Sequence, residues 1–220
     1  MRKVIILVLV LCLVSGTVLA EEGNKEEKED EVVHLEAGYM KYIDDVIEVS
    51  EGVTVIKDEN TINAPQGTIY RDEDKAIFTD NKEQDVIVER TEETIKSKKL
   101  TSWFEKDEYI FEKDVRLKHQ EDDEDDEMYM ETSYLEVYED EDLAKTDRSV
   151  YIEYDEKEIT GDQARYNDKK EIMKIKENVK ILEKDGDWIK GDLATFYLDS
   201  DKDEFTMDKN VEMEMKLDDN

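Results

Sequence analysis

Cysteine, proline and histidine are scarce in this chain of 220 residues, and the scarcity excludes several kinds of site. The single cysteine, Cys12, lies in an N-terminal apolar stretch, so no disulfide can form within the chain. The two histidines, His34 and His119, have no companion at ligand spacing, and no nucleophile stands in a motif that would activate it. No glycine-rich loop leads into a helix. We therefore expect no enzyme, and the sequence predicts no catalytic residue, no metal site and no cofactor.

Positive charge is scarce as well. The chain has 31 Lys and Arg against 63 Asp and Glu, which gives a formal net charge of −32. Such a chain repels nucleic acid and anionic membrane surfaces. The acidic residues either bind cations or basic partners, or they keep the protein soluble in a salty environment, where screening makes close carboxylates tolerable. Their spread over the whole chain favours the second explanation.

The N-terminal segment has the parts of a secretory signal peptide. Arg2 and Lys3 are basic, residues 4–14 are apolar, and Val18-Leu19-Ala20 fits a small-residue cleavage site. We predict that residues 1–20 are a cleaved signal peptide, which directs the mature protein across the inner membrane; with the resemblance described below, the expected location is the periplasm. The apolar segment is just long enough for the alternative, a retained membrane anchor. Cleavage is favoured because the apolar run fades before the cleavage site.

The chain is predicted to have three parts: the signal peptide, a charged tail and a β domain. Cleavage affects only the first. It would remove two positive charges and no negative one, which changes the net charge from −32 to −34. Residues 21–31 form a charged tail with almost nothing to bury, and we expect this tail to be disordered. Residues 32–220 are enough for one β domain.

A pattern repeats six times between Leu35 and Met213. Each copy opens as apolar-x-small-x-x-apolar-x-(aromatic or apolar), and the third copy departs from this at its last position. The openings are Leu35/Ala37/Met40/Tyr42, Ile62/Ala64/Gly67/Ile69, Ile95/Ser97/Leu100/Ser102, Met130/Thr132/Leu135/Val137, Ile159/Gly161/Ala164/Tyr166 and Ile189/Gly191/Ala194/Phe196. Each copy closes on a valine and a second apolar residue, at Val53/Val55, Val86/Val88, Val115/Leu117, Val150/Ile152, Val179/Ile181 and Val211/Met213. The residues that precede these valines are turn formers: Gly52, Asp85, Asp114, Ser149, Asn178 and Asn210.

The spacing within each copy is that of strands with one face toward a core. A copy of about thirty residues with two or three short strands cannot bury its apolar face alone, whereas stacked copies can. We therefore predict an all-β domain, an elongated β-sandwich or flattened barrel built from about six two-to-three-strand repeats. The small residue of the opening pattern, such as Gly161 or Gly191, is expected where the chain turns a corner.

Two other segments invite a functional interpretation. The acidic run 121–127 has carboxylates that could collect Ca²⁺, but it lacks the glycine and the ligand alternation of an EF-hand loop, so a solvated loop is the better interpretation. The densest aromatic group consists of Trp103, Phe104, Tyr109 and Phe111. Core packing is the preferred interpretation of this group, ahead of a ligand-lining role.

The alternation of apolar and charged residues predicts an apolar inside and an acidic outside. If the two layers close fully, the interior is only a core. If they part along one edge, the same side chains line a hydrophobic groove suited to acyl chains. The residues alone leave both possibilities open.

The repeats resemble those of the OstA-like family, which includes LptA, the periplasmic domain of LptC and the N-terminal domain of LptD. The resemblance lies in units such as Ile62-Asn63-Ala64-Pro65-Gln66-Gly67 and Ile159-Thr160-Gly161-Asp162-Gln163-Ala164, and in turn-plus-valine units such as Glu51-Gly52-Val53-Thr54-Val55. It covers nearly all of residues 32–220. Each unit alone is a weak signal, but six in register after a signal peptide are fairly specific.

This resemblance implies a β-jellyroll whose hydrophobic interior groove shields the acyl chains of lipopolysaccharide, with lipid A as its ligand. It also implies stacking through edge strands, with LptC-like and LptD-like proteins and with copies of the chain itself, into a bridge between inner and outer membranes. A cleaved signal without a further domain is expected to be more like LptA than like LptC, which keeps an N-terminal anchor.

The expected lipid contacts are inward residues of the alternating strands. They are Ile62, Phe78, Val86, Val88, Ile95, Phe111, Leu117, Leu135, Val150, Ile152, Ile175, Val179 and Ile181. Two features fit this interpretation less well. The phosphates of lipid A would meet an acidic protein, and the inward positions Ser102, Thr132 and Thr146 are weakly apolar. The alternative is an acidic β-repeat scaffold of the cell envelope, with a closed dry core, that binds cations or proteins.

Overall fold

A computed structural model describes residues 32–120, 127–198 and 204–216. The predicted signal peptide (1–20), the predicted tail (21–31) and most of the acidic run 121–127 lie outside the described residues. The strands of the described part are β1 (His34–Ile43), β2 (Val46–Lys57), β3 (Asn60–Tyr70), β4 (Lys75–Thr79), β5 (Val86–Glu89), β6 (Glu93–Ser97), β7 (Lys99–Trp103), β8 (Glu108–Gln120), β9 (Glu127–Tyr138), β10 (Leu143–Thr146), β11 (Val150–Tyr154), β12 (Lys157–Gly161), β13 (Gln163–Asn167), β14 (Ile172–Glu183), β15 (Trp188–Tyr197), β16 (Glu204–Asp208) and β17 (Glu212–Glu214).

These strands form one antiparallel sheet that is folded along its length into two facing layers. The long strands cross from one layer to the other. The first half of β2 pairs with residues 66–70 of β3, and its second half pairs with residues 60–64, with a shift of register between Ser50 and Val53. Layer one contains β5, β6, β11, β12 and β17 together with the adjoining halves of the long strands. Layer two contains β4, β7, β10, β13 and β16 with the other halves.

The crossings lie along one side of the molecule, which we call the fold line. Where a long strand returns from layer two to layer one, two consecutive residues have positive φ. These pairs are Glu51/Gly52, Lys113/Asp114, Glu177/Asn178 and, between β16 and β17, Lys209/Asn210. In the second and fourth copies the returning strand is interrupted instead, by the loops 80–85 and 147–149. The turn formers that precede the six valines therefore all lie on the fold line.

Strands that cross in the other direction do so at the small residues of the repeat. A Cβ at Gly191 would lie 2.6 Å from the Sδ atom of Met207, and a Cβ at Gly161 would collide with the side chain of Ile175. A Cβ at either glycine would require the side chain of Met207 or Ile175 to shift, which agrees with the small residue that the sequence places there.

The side opposite the fold line is the mouth of the folded sheet, where two rows of turns face each other. Layer two contributes the 3-10 turns Arg71–Glu73, Phe104–Lys106, Glu139–Glu141 and Asp168–Lys170. Each of them ends on a left-handed residue: Asp74, Asp107, Asp142 and Glu171. Layer one contributes the hairpin turns after β2, β5, β11 and β14.

The core lies between the layers and follows the repeat. The closing valines of the first five copies are at most 3% exposed, whereas Val211 of the sixth copy is 47% exposed because no further copy stacks on it among the described residues. No helix in the described part of the chain is both long enough and apolar enough to span a membrane. The prediction of an all-β jellyroll of two-to-three-strand repeats is confirmed.

The left-handed crossings generate a prediction at Lys113, an exposed residue with a φ of 64°. Glycine adopts this conformation without strain, whereas a β-branched residue resists it. We expect Lys113→Gly to raise the free energy of unfolding by about 0.5–1 kcal/mol and Lys113→Val to lower it by about 1–2 kcal/mol. Urea titration measures both.

The matched control is Lys96, which is exposed in the regular strand β6. At Lys96 the valine variant must be more stable than the glycine variant, because valine suits an extended strand and glycine weakens it. If Lys113→Val is as stable as Lys113→Gly, the left-handed conformation of the fold line is wrong.

Candidate functional site

The interior between the layers is the candidate site, and it holds all the expected lipid contacts. Each of these side chains is at most 5% exposed: Ile62, Phe78, Val86, Val88, Ile95, Phe111, Leu117, Leu135, Val150, Ile152, Ile175, Val179 and Ile181. Their inward orientation agrees with the period-two reading of the strands. Ile95, Leu117 and Leu135 also line a cavity, and the other ten lie in the packed core.

The cavity opens at the mouth and has a volume of about 370 Å³. Its apolar wall consists of Ile95, Leu117, Met128, Met130, Leu135, Val137, Leu143, Ala144, Ala164 and Met173. Methionine adapts its shape to irregular ligands more readily than branched residues do. Ala144 and Ala164 contribute small side chains to this wall. The cavity therefore joins the mouth to apolar side chains of the interior.

The rim of the cavity is polar and mainly acidic. Its carboxylates belong to Glu59, Glu92, Glu93, Glu139, Asp142 and Asp168, and its basic side chains are Arg90, Lys145 and His119. Tyr166 donates a hydrogen bond to Asp168 with an O–O distance of 2.9 Å. Burial, followed by this hydrogen bond, raises the pKa of the Tyr166 hydroxyl. A phosphate at this rim would meet more negative than positive charge.

A polar contact joins the two rows of turns across the mouth beside the cavity. The Nζ atom of Lys57, at the end of β2, lies 2.5 Å from the carbonyl oxygen of Phe104 and 2.5 Å from Oδ1 of Asp107. Lys57 is only 3% exposed and Phe104 only 8%. The ammonium group thus ties layer one to a 3-10 turn of layer two.

A second contact lies next to it and borders the cavity. Arg90 donates to Oδ1 of Asn60 at 2.7 Å and also pairs with Glu139, while Asn60 donates to Oε1 of Glu139 at 3.1 Å. The Arg90 guanidinium lies 5.7 Å from the ring centre of Tyr109. Together these two contacts form what we call the latch: Lys57, Asn60, Arg90, Asp107 and Glu139.

Burial governs the electrostatics of the latch. It raises the pKa of the Glu139 carboxyl above its usual range, although the Arg90 charge and the Asn60 hydrogen bond act in the opposite direction. It also raises the pKa of Tyr109. The hydroxyl oxygens of Tyr109 and Ser102 have no hydrogen-bond partner among the described residues, and the two residues are direct neighbours in the β7–β8 pairing.

Other residues that the sequence singled out have simple environments. Phe104, Tyr109 and Phe111 are buried, as the core-packing interpretation requires, whereas Trp103 lies half-buried. His34 contacts Glu36, and His119 lies 3.8 Å from Glu93 at the cavity rim.

Two of the three weakly apolar inward positions, Thr132 and Thr146, have hydrogen-bond partners for their hydroxyl groups. Thr132 and Thr146 contact each other at 3.3 Å between their hydroxyl oxygens, and Thr132 also donates to the carbonyl oxygen of Ser149 at 3.1 Å. In the part of the chain that is described, no three His, Cys, Asp or Glu side chains are placed to hold a metal ion.

Sequence reasoning missed the cavity and the latch. Met130 and Met173 occupy inward positions of the repeat pattern, so their presence in the wall could have been foreseen. The latch residues stand in charged turns that resemble every other turn of the chain, so no spacing marks them.

Comparison with known proteins gives matches to a family model and to solved structures. The family model described as "Lipopolysaccharide-assembly, LptC-related" matches residues 5–183, from within the N-terminal apolar segment to the end of β14. A similar solved structure is that of LptH, described as the LptA homologous periplasmic component of the conserved lipopolysaccharide transport device from Pseudomonas aeruginosa. It is 8% identical, covers 72% of this chain and 95% of its own, and gives a TM-score of 0.49. A search among curated protein sequences gives no match.

The raised pKa of Glu139 leads to a prediction for the latch. The unfolded carboxyl has its ordinary pKa, so the cost of burying the carboxylate is fully present above the folded-state pKa. As the pH falls through that pKa the folded state takes up a proton first, and this cost disappears. We expect Glu139→Gln to be more stable than the parent at pH 7, and the difference to vanish below about pH 4. Thermal unfolding from pH 3 to pH 8 measures this.

Removing Arg90, the cationic partner of Glu139, must instead destabilise the fold. Arg90→Met leaves the partly buried Glu139 carboxylate without its cation, which should lower the free energy of unfolding by about 1–3 kcal/mol. Arg148→Met is the control, because Arg148 pairs with Asp147 at an exposed site and should cost less than about 0.5 kcal/mol. If Arg90→Met and Arg148→Met lower the free energy of unfolding equally, the latch does not hold the mouth.

Proposed function

Because this chain belongs to the LptC-related lipopolysaccharide-assembly family, we propose that it is a non-enzymatic periplasmic protein that shields lipopolysaccharide acyl chains during export. The observation that carries the proposal is the cavity of about 370 Å³, which connects the mouth with the apolar interior. The ligand in this proposal is the lipid A part of lipopolysaccharide, and the protein acts by binding alone.

The cavity wall supplies the chemistry that acyl chains need. Each methylene that leaves water for an apolar surface contributes about 0.8 kcal/mol. Ile95, Leu117 and Leu135 are the first contacts in this proposal, and the methionines of the wall adjust to the chain. The head group stays at the rim, where salt or divalent ions screen its phosphates from the carboxylates.

The other expected contacts come into play when the layers part. Phe78, Val88 and Val150 are at most 3% exposed and lie in the packed core. Parting the layers at the mouth requires the latch to open, since Lys57 and Arg90 join turns of opposite layers. In this proposal the latch separates a closed state from one in which the groove takes up further chain.

The ends of the folded sheet are the proposed contacts with neighbouring proteins. At one end, the strand β1 exposes Tyr39, Tyr42 and Ile43, and at the other, Val211 and Met213 lie exposed in and beside β17. Edge strands can accept a further strand from a partner. The proposed partners are LptC-like and LptD-like proteins and further copies of this chain. A cleaved and an anchored N-terminal segment both leave the domain in the periplasm.

One observation favours a second candidate, the acidic scaffold with a dry core. Ten of the thirteen expected lipid contacts lie in the packed core and only three line the cavity. A protein that never opens would bind cations or envelope proteins on its surface and no lipid. Uptake of acyl chains distinguishes the two functions.

Filling the cavity tests the lipid site. Ala144 lines the cavity wall, so Ala144→Phe should occupy the space that an acyl chain needs. We expect at least tenfold weaker displacement of a fluorescent fatty acid by lipopolysaccharide. Thr68→Phe is the control, because Thr68 stands in β3 away from the cavity, and it should bind as the parent does.

Both variants must show the parent circular dichroism before binding is compared. Unchanged uptake by folded Ala144→Phe would place the acyl chain elsewhere. If the parent itself takes up no lipopolysaccharide at any salt concentration, the scaffold is the better account.

A further inference from the structure

A row of basic residues on the outer face of layer two departs from the charge of the rest of the chain. Lys145 of β10 lies directly opposite Arg165 of β13, and Arg165 lies directly opposite Lys174 of β14. Lys176, two residues further along β14, stands beside Gln163 of β13. We call Lys145, Arg165, Lys174 and Lys176 the basic patch. It concentrates positive charge in a chain with twice as many acidic as basic residues.

The basic patch is not neutralised by its surroundings. Lys145 is paired with Glu136 at 3.0 Å, but Arg165, Lys174 and Lys176 are exposed and have no ion pair within the described ranges 32–120, 127–198 and 204–216. Directly opposed side chains on adjacent strands have Cβ atoms about 4.5–5.5 Å apart, and like charges there destabilise a sheet. The fold therefore keeps this arrangement against an electrostatic penalty.

Two other lysines of layer two follow the opposite rule. Lys41 of β1 pairs with Glu48 of β2 at 3.7 Å, and Lys99 of β7 pairs with Glu112 of β8. In both cases the carboxylate stands directly across the strand pair. Lys145 has such a carboxylate in Glu136, directly across the β9–β10 pair. Arg165 and Lys174 instead face each other, without a cross-strand carboxylate on either side, and this part of the patch points to a ligand.

A depression of about 310 Å³ lies at the basic patch and has all four of its cations in its wall. The two acidic residues of that wall, Glu136 and Asp147, are already engaged. Glu136 accepts hydrogen bonds from Tyr138 and Tyr134 at 2.6 Å and 2.8 Å as well as contacting Lys145. Asp147 lies 3.6 Å from Arg148. The depression thus presents cations whose charge is available to a bound anion.

We propose that the basic patch is a binding site for a phosphate-bearing ligand, distinct from the interior groove and independent of the proposed function. The Arg165 guanidinium can hold two phosphate oxygens at once, and Lys145 and Lys174 add charge on the two flanking strands. Strands lie about 4.8 Å apart, so the row spans about 10 Å. That length suits one or two phosphate groups.

The surroundings favour a compact phosphate over an extended anionic partner. Asp147, Glu171, Glu177 and Asp208 are exposed around the patch. A flat anionic membrane or a long acidic peptide would bring its own negative charge against these carboxylates. A phosphate group in the depression meets four cations and two carboxylates, and both carboxylates already contact cations. The phosphate could belong to a lipid head group or to a soluble polyphosphate, and both present the same chemistry.

The test is a calorimetric titration of the protein with inorganic pyrophosphate at low salt. Lys174→Glu places a carboxylate directly opposite Arg165, which removes the like-charge contact and fills the site. We expect at least tenfold weaker pyrophosphate binding together with an equal or higher melting temperature. That combination excludes unfolding as the cause of the loss.

Lys99→Glu is the control, because it makes the same change of charge on the same layer at a paired lysine. It should leave pyrophosphate binding within twofold and lower the melting temperature. Equal weakening in both variants would mean that only the net charge matters, and would overturn the proposal, as would a parent protein that does not bind pyrophosphate. Tighter binding of a poly-glutamate peptide than of pyrophosphate would also overturn it.

Two further arms identify the source of the phosphate and separate this site from the groove. Lipid A with both phosphates is compared with its dephosphorylated form in detergent micelles. A difference that Lys174→Glu abolishes assigns a lipid head group, and pyrophosphate binding without such a difference assigns a soluble anion. Ala144→Phe must still bind pyrophosphate as the parent does. A failure of the proposed lipid groove can therefore be told apart from a failure of the proposed phosphate site.

Discussion

The whole structure depends on how each strand crosses the fold line without turning its apolar side chains outward. In strands that run from layer one to layer two, the inward residues on either side of the crossing are three positions apart, as with Ala64 and Gly67. In returning strands they are four positions apart, as with Val49 and Val53. The register confirms this, since Val49 lies opposite Gly67 and Val53 lies opposite Ala64. A slip of one residue would turn every later side chain to the wrong face. The extra residue is absorbed by the left-handed pair Glu51/Gly52.

Such crossings make the two sides of the molecule unequal. At the fold line the layers are joined by the backbone itself, so they can part only at the mouth. The mouth is held by charged and amide groups of the latch. Opening these contacts exposes groups that water can solvate, whereas opening an apolar seal would expose hydrocarbon. A buried ion pair is weak evidence for stability, which is why we propose for the latch the role of a closure that can be released next to the cavity.

The inward positions could be predicted from the sequence because they follow from a strict period and from turn formers at fixed offsets. The same period explains Trp103: Ser102 occupies the inward position and is fully buried, so its neighbour must face outward. Val211 shows the limit of the repeat, since it matches the pattern and is exposed where no next copy covers it. The cavity could not be predicted, because it depends on how the side chains of both layers, including Ala144 and Ala164 of layer two, fill the space between them. The latch could not be predicted because its charges stand in turns that many other charges share.

The cavity and the basic patch occupy opposite faces of the same short strands. Lys145, Thr146 and Ala164 line both spaces, so a single layer of chain separates an apolar site from an anionic one. The spacing of the patch cations is set by main-chain pairing, with Lys145 of β10 directly opposite Arg165 of β13. A ligand in the cavity that leaves this pairing intact leaves the spacing of the cations unchanged. Linkage is reciprocal, so a phosphate on the patch then leaves the affinity of the cavity unchanged as well, and the two sites act independently although a single layer separates them.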